Sequence, residues 1–169
     1  MPSPKIPNKP LRSYTGWGID IGSDSLLFDI GGGVLHKMLE DGKDILKNPS
    51  HLFISHFHPD HCSDIIQLMQ GRGVANIWGS KVNPLFVGGP EGLDSFCKQL
   101  FEGVEKWRDF VGLLDIYKLL NLKETMNGIV FESSNWKVST VPADHFNGVC
   151  YRLDINEKSL VYSGDMAYD

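Results

Sequence analysis

A single layered α/β domain is the fold class this sequence predicts, and three observations predict it. Short apolar runs rich in β-branched and aromatic residues first alternate with stretches of helical spacing. Four strand-like runs then follow in succession: GIVFES, WKVSTVPAD, GVCYRLDI and SLVYSGD. The 169 residues, 41% hydrophobic and 22% charged, are enough to bury one core.

Each element has its own reason. Residues 1–13 (MPSPKIPNKPLRS) hold four prolines and predict an extended arm. TGWGIDIG and SLLFDIGGG, with a turn at Ser23–Asp24, read as two strands joined by a tight reversal, the second ending at Gly31, Gly32 and Gly33. VLHKMLEDGKDILKN has amphipathic helical spacing, weakened at Gly42. HLFISH reads as a short buried strand. DHCSDIIQLMQGRG reads as a helix ending at glycine, with Ile65, Ile66 and Met69 at helical spacing. One or two short strands are expected within 75–88. GPEGLDSFCKQLFEGVEKWRDF predicts a helix with Pro90 near its start and Leu93, Phe96, Leu100 and Val104 at helical spacing. The whole of 1–169 is read as one domain.

The net charge of −5 argues against a broad basic surface for nucleic acid. A phosphate substrate stays compatible with it, because bound divalent ions supply local positive charge. Cys62, Cys97 and Cys150 are odd in number and far apart, so free thiols in a reducing compartment are expected. No run has the apolar length of a membrane span, and the proline-rich start lacks the apolar core of a secretion signal, so a cytoplasmic location is expected. Trp17, Trp78, Trp107, Trp136 and the phenylalanines are expected in the core or at an interface rather than as substrate stackers. No interleaving of aromatic and basic residues marks an RNA path.

The chemistry is concentrated in Ser55-His56-Phe57-His58-Pro59-Asp60-His61. His56 and His58 are two apart, so in extended chain they project to one side. Pro59 keeps His58 extended and ends the strand. Asp60 and His61 then open a helix and face back across the same cleft. Two imidazoles on one side and a carboxylate–imidazole pair on the other suit two adjacent divalent ions, zinc first among them. Such a site needs further ligands. His145, in VPADHFNG, fits a terminal ligand of one ion, and Asp165, in LVYSGDM, fits a bridge between two. Taken alone, His145 is a solvated loop residue and Asp165 an ordinary turn. Asp29, at the end of LLFDI, fits either an outer acceptor that orients a ligand or a cap on the turn with Gly31. His36 and His51 read as surface or structural residues.

Taken in order, Asp29 in FDIGGG, HFHPDH at 56–61, His145 and Asp165 in SGD make the chain resemble the metallo-β-lactamase superfamily. VGGPEGL, PADHFNGVCYRLDI and KSLVYSGD look like its phosphodiesterase branch, which includes the tRNA 3′-processing endonucleases. Asp144 before His145 is unlike the β-lactamases proper and the glyoxalase-type thioesterases. His58, where diiron relatives carry glutamate, is unlike a redox diiron site.

The resemblance implies an αββα sandwich, here lacking its C-terminal portion. It implies a dinuclear site, with zinc expected and manganese or iron as alternatives. His56, His58 and His145 would hold one ion, Asp60 and His61 the other, and Asp165 would bridge. The family adds a later histidine to the second ion, whereas this sequence stops four residues after Asp165. The second site is therefore expected to be incomplete or completed by another chain. The implied reaction is attack of a metal-activated hydroxide on a phosphodiester, with Asp60 orienting it. The substrate would be a small-molecule or nucleic-acid diester. Hydrolysis of a sulfate ester, thioester or lactam, and a metal-binding protein without turnover, are the alternatives. An unfinished sheet edge predicts a homo-oligomer.

Overall fold

Alternation in Leu26-Leu27-Phe28 sets the layers. Leu26 and Phe28 turn inward to a second sheet, while Leu27 turns outward to helices. Phe53 between Leu52 and Ile54, and Phe86 between Leu85 and Val87, repeat the pattern. Each such side chain contributes roughly 1.5–3 kcal/mol on full burial. The structure, a computed structural model, describes residues 14–167; the expected arm over 1–13 lies outside them.

The first sheet has the strand order β1 (Trp17–Ile21), β2 (Asp24–Phe28), β3 (His51–Phe53), β4 (Leu85–Gly89) and β5 (Leu120–Glu124). β1 and β2 form an antiparallel hairpin, and β2 to β5 run parallel. The second sheet is an antiparallel meander of β6 (Gly128–Glu132), β7 (Trp136–Pro142), β8 (Val149–Ile155) and β9 (Lys158–Tyr162). Parallel strands need crossovers. These are supplied by α1 (Val34–Glu40), α2 (Pro59–Cys62) with α3 (Ile65–Ile77), and α4 (Leu93–Glu102) with α5 (Glu105–Leu114). The parallel strands thus end together, and β2 and β3 deliver Asp29 and Ser55 to the same rim, where α/β sheets place ligand sites.

One core lies between the first sheet and the helices, the other between the sheets. Among the described residues no helix packs on the outer face of the second sheet, where Val141 and Val161 are exposed. The α/β fold class and the sandwich agree with the sequence reading. All four late strands form, and the three cysteines are free thiols.

Several boundaries differ, each for a local reason. α1 stops at Glu40, because Gly42 takes a left-handed φ of 74°. α3 does not end at its glycines. It runs through Gly71 and Gly73 to Ile77, and a Cβ on Gly73 would lie 2.8 Å from that of Leu114. Here helix packing outweighs propensity. The stretch 75–88 supplies one strand, within the one or two expected, but the long helix breaks at Gly103 into α4 and α5. β5 and the 3-10 turn before it, Ile116–Leu119, have no counterpart in the sequence reading.

Candidate metal centre

The backbone at the rim is tied before any side chain acts. Asp29 N–H donates to Phe53 O at 2.8 Å, Ile30 N–H to His61 O at 2.7 Å, and Val149 N–H to Ser55 O at 2.9 Å. The buried Tyr151 hydroxyl donates to Ile54 O at 2.7 Å, pinning the exit of β3 to the second sheet. His58 is the extended N-cap of α2 (ψ 142°), Pro59 takes the first helical position, and Asp60 and His61 follow. Gly164 lets the last turn close: its φ is 60°, and a Cβ there would meet the Ser55 side chain at 2.8 Å.

Five of the six expected ligands converge. One nitrogen from each of His56, His58 and His145 lies within 4.8 Å of the others, and so does a ligand atom from each of His56, His61 and Asp165. His56 Nε2 and His58 Nδ1 are 3.0 Å apart. Asp165 Oδ1 is 3.4 Å from His61 Nε2, and its Oδ2 is 3.9 Å from His145 Nε2. The sixth, Asp60, stands beside these groups rather than in them, with Oδ2 3.9 Å from His61 Nε2.

Asp29 is the hub. It is 0% exposed and holds a left-handed φ of 59°. Its Oδ1 accepts from Ser55 N–H at 2.7 Å. Its Oδ2 accepts from Ser55 Oγ–H at 2.7 Å, His61 Nδ1–H at 2.6 Å and Tyr162 Oη–H at 2.6 Å. Of the two sequence readings of Asp29, the structure shows the orienting acceptor. These bonds fix tautomers. His61 gives its Nδ1 proton to Asp29, which frees Nε2 to face the cleft. Ser55 has one hydroxyl proton and gives it to Asp29, so His56 Nδ1, 3.0 Å away, must donate to Ser55 Oγ. The Nε2 lone pair of His56 is thereby turned toward His58.

The electrostatics agree. Burial, helped by His61, lowers the pKa of His56 to about 4, keeping it a neutral donor. Burial also opposes charge on His61. The bond to Asp29 and the charges of Asp29, Asp165 and Asp60 outweigh it and raise the pKa. Surroundings that favour a proton on His61 also favour a cation at its Nε2. That atom and His145 Nε2 are buried and make no hydrogen bond among the described residues. Two orphaned imidazole nitrogens beside a carboxylate fit a divalent ion, and the nitrogen–oxygen donor set suits zinc, manganese or iron.

Residues 17–169 match the metallo-beta-lactamase superfamily. The chain belongs to that superfamily. Within it, the chain is 30% identical over 143 residues to ribonuclease Z of Methanothermobacter thermautotrophicus, covering 85% of itself and 42% of that protein. It is 29% identical over 136 residues to ribonuclease BN of Escherichia coli O7:K1, covering 78% of itself and 39% of that protein. The chain therefore spans about two fifths of the length of these curated relatives. Human tRNase Z, short form, superimposes with a TM-score of 0.69 at 17% identity, over 93% of this chain and 64% of that one. The metallo-beta-lactamase fold protein YhfI of Bacillus subtilis gives 0.71 at 20% identity, over 97% and 59%. These two likenesses concern the fold.

Sequence reasoning missed Ser55 and Tyr162, whose roles depend on contacts with Asp29 across 26 and 133 residues. Phe146, expected in the core or at an interface, is not in the core: its ring is 76% exposed and stands 4.8 Å from the ring of His58 and 4.9 Å from that of His145. Trp136 is buried as expected, while Trp78 is largely exposed. His36 is a surface residue beside Glu40, and His51 sits among aromatic rings at the start of β3.

Proposed function

We propose that this chain carries the metal-binding region of a metal-dependent phosphodiesterase acting on RNA or a related diester. The observation that supports this most is the pair of ligand groups sharing His56, with two buried ring nitrogens left for an ion. The names of the ribonuclease Z and BN relatives support the substrate class. With a net charge of −5, phosphate is better held by ions than by a basic surface.

His56, His58 and His145 would hold one ion and His61 the second, with Asp165 shared and Asp60 beside His61; zinc is preferred. Bound there, such ions supply a water nucleophile at neutral pH and offset charge on phosphate oxygens. The chain's own residues do the rest. Ser55 and Asp29 hold His56 and His61 in the tautomers a cation needs. Asp60, at the rim, accepts a hydrogen bond from the attacking water and orients it. The second ion would be the weaker one, because among the described residues only His61 and the shared Asp165 would hold it, against three imidazoles at the first.

The zinc- or manganese-loaded chain should hydrolyse bis(p-nitrophenyl) phosphate, and His58→Ala and Asp60→Ala should lose that activity. Turnover of a sulfate ester, thioester or lactam in its place would overturn the reading, as would bound metal with no turnover at all. The free cysteines and the absence, among the described residues, of a helix long and apolar enough to cross a membrane support a cytoplasmic location. The outer edge of β9, unpaired among the described residues and carrying the exposed Val161, supports self-association. Light scattering that returns a strict monomer would overturn that last point.

A further inference from the structure

Burial does not account for the position of Phe146. The ring gains little burial, being 76% exposed. Its backbone φ of 37° is one a bulky side chain rarely adopts, and Asn147 follows at 57°. Strain of this kind persists only where the surroundings impose it, and here they do. Gly148 N–H donates to His145 O at 2.7 Å, and Ala143 N–H donates to Gly148 O at 2.9 Å, closing the loop on itself. The Asn147 side chain donates to Glu91 O at 3.1 Å, tying the loop to the turn between β4 and α4. The loop that aims His145 inward thus holds Phe146 outward, with its ring about 5 Å from two ligand imidazoles.

We propose that Phe146 is a stacking platform for the base of the nucleotide whose phosphate sits at the metal centre. This rests on the phosphodiesterase reading and adds the group that is recognised beside the phosphate. An exposed aromatic face attracts any base, and stacking tolerates sequence. It also needs no basic surface, in keeping with the charge of this chain. The contact is made to the group that stays on the phosphate, not to the leaving group.

Two diesters with one leaving group test it: thymidine 5′-(p-nitrophenyl phosphate) and methyl p-nitrophenyl phosphate, on the zinc-loaded chain. Phe146→Ala should raise KM for the thymidine diester about 5- to 100-fold and leave the methyl diester and kcat nearly unchanged. Phe146→Trp should restore the preference, and Phe146→Leu, apolar without a π face, should not. Equal losses on both substrates, or none, would overturn the platform. Calorimetric binding of thymidine 5′-monophosphate against methyl phosphate separates this from the hydrolase reading. If neither diester is turned over yet the nucleotide binds more tightly in a Phe146-dependent way, the hydrolase reading has failed and the platform stands. Equal binding of the two overturns it.

Discussion

β3 carries a histidine at its start and leads to another three residues past its end, and the two neighbourhoods differ in nearly every respect. His51 lies among aromatic rings, 4.4 Å from Phe131 and 4.9 Å from Trp136, with Nδ1 2.9 Å from Ser50 Oγ. His56 lies among three imidazoles, and the Asp29 and Asp165 carboxylates stand beside its neighbour His61. The first is a half-buried ring satisfied by packing. The second is fully buried yet belongs to a cluster of ring nitrogens that point at one another, two of them with no hydrogen-bond partner among the described residues. Residue type alone does not mark a metal ligand. Convergence of lone pairs, backed by an acceptor that sets the tautomer, does.

The largest effect expected is on the ligands. His58→Ala should remove the tighter ion, which zinc competition with a chromophoric chelator would read, whereas His51→Phe should leave zinc affinity unchanged. A zinc site that survives the first change or is lost with the second would erase the contrast. Asp29→Asn comes next. It keeps the volume but puts an amide donor among four donors, so zinc affinity should fall about 10- to 100-fold, as for other orienting partners of metal ligands. Tyr162→Phe removes only one of those donors. It should cost about 0.5–1.5 kcal/mol in urea unfolding and weaken the second ion while sparing the first. The smallest effect is on pH dependence. Burial lowers the pKa of His51 below 6.5, against the pull of Asp24. The unfolded chain therefore takes up this proton first as pH falls below 6.5, and stability present above 6.5 is lost on the way down. In zinc-free urea melts at pH 7 and pH 5, His51→Phe should lose less stability between the two than the parent.

The convergence of His56, His58 and His61 was legible in the sequence because strand and helix geometry dictate their directions over six residues, whereas Asp60, expected with them, stands beside the two groups rather than in them. His145 and Asp165 were legible only as completions of that set, through their position between and after strands. Ser55 and Tyr162 were not, because nothing local shows that both hydroxyls end on one carboxylate. Phe146 was read with the other phenylalanines as a core or interface residue, because nothing local in the sequence shows its left-handed backbone or its exposure beside the imidazoles. In the fold, strands with strong alternation were evident, whereas β5, LNLKE, has no fully buried residue and ends in charge. α3 passes its glycines because Leu114, distant in sequence, packs against one of them.

Diffraction from zinc-loaded crystals at the zinc absorption edge should locate both ions. A strong anomalous peak is expected about 2.0–2.1 Å from His56 Nε2, His58 Nδ1 and His145 Nε2, and a weaker one against His61 Nε2 and Asp165. Density at neither position, or zinc bound by His51 or the cysteines instead, would contradict that placement.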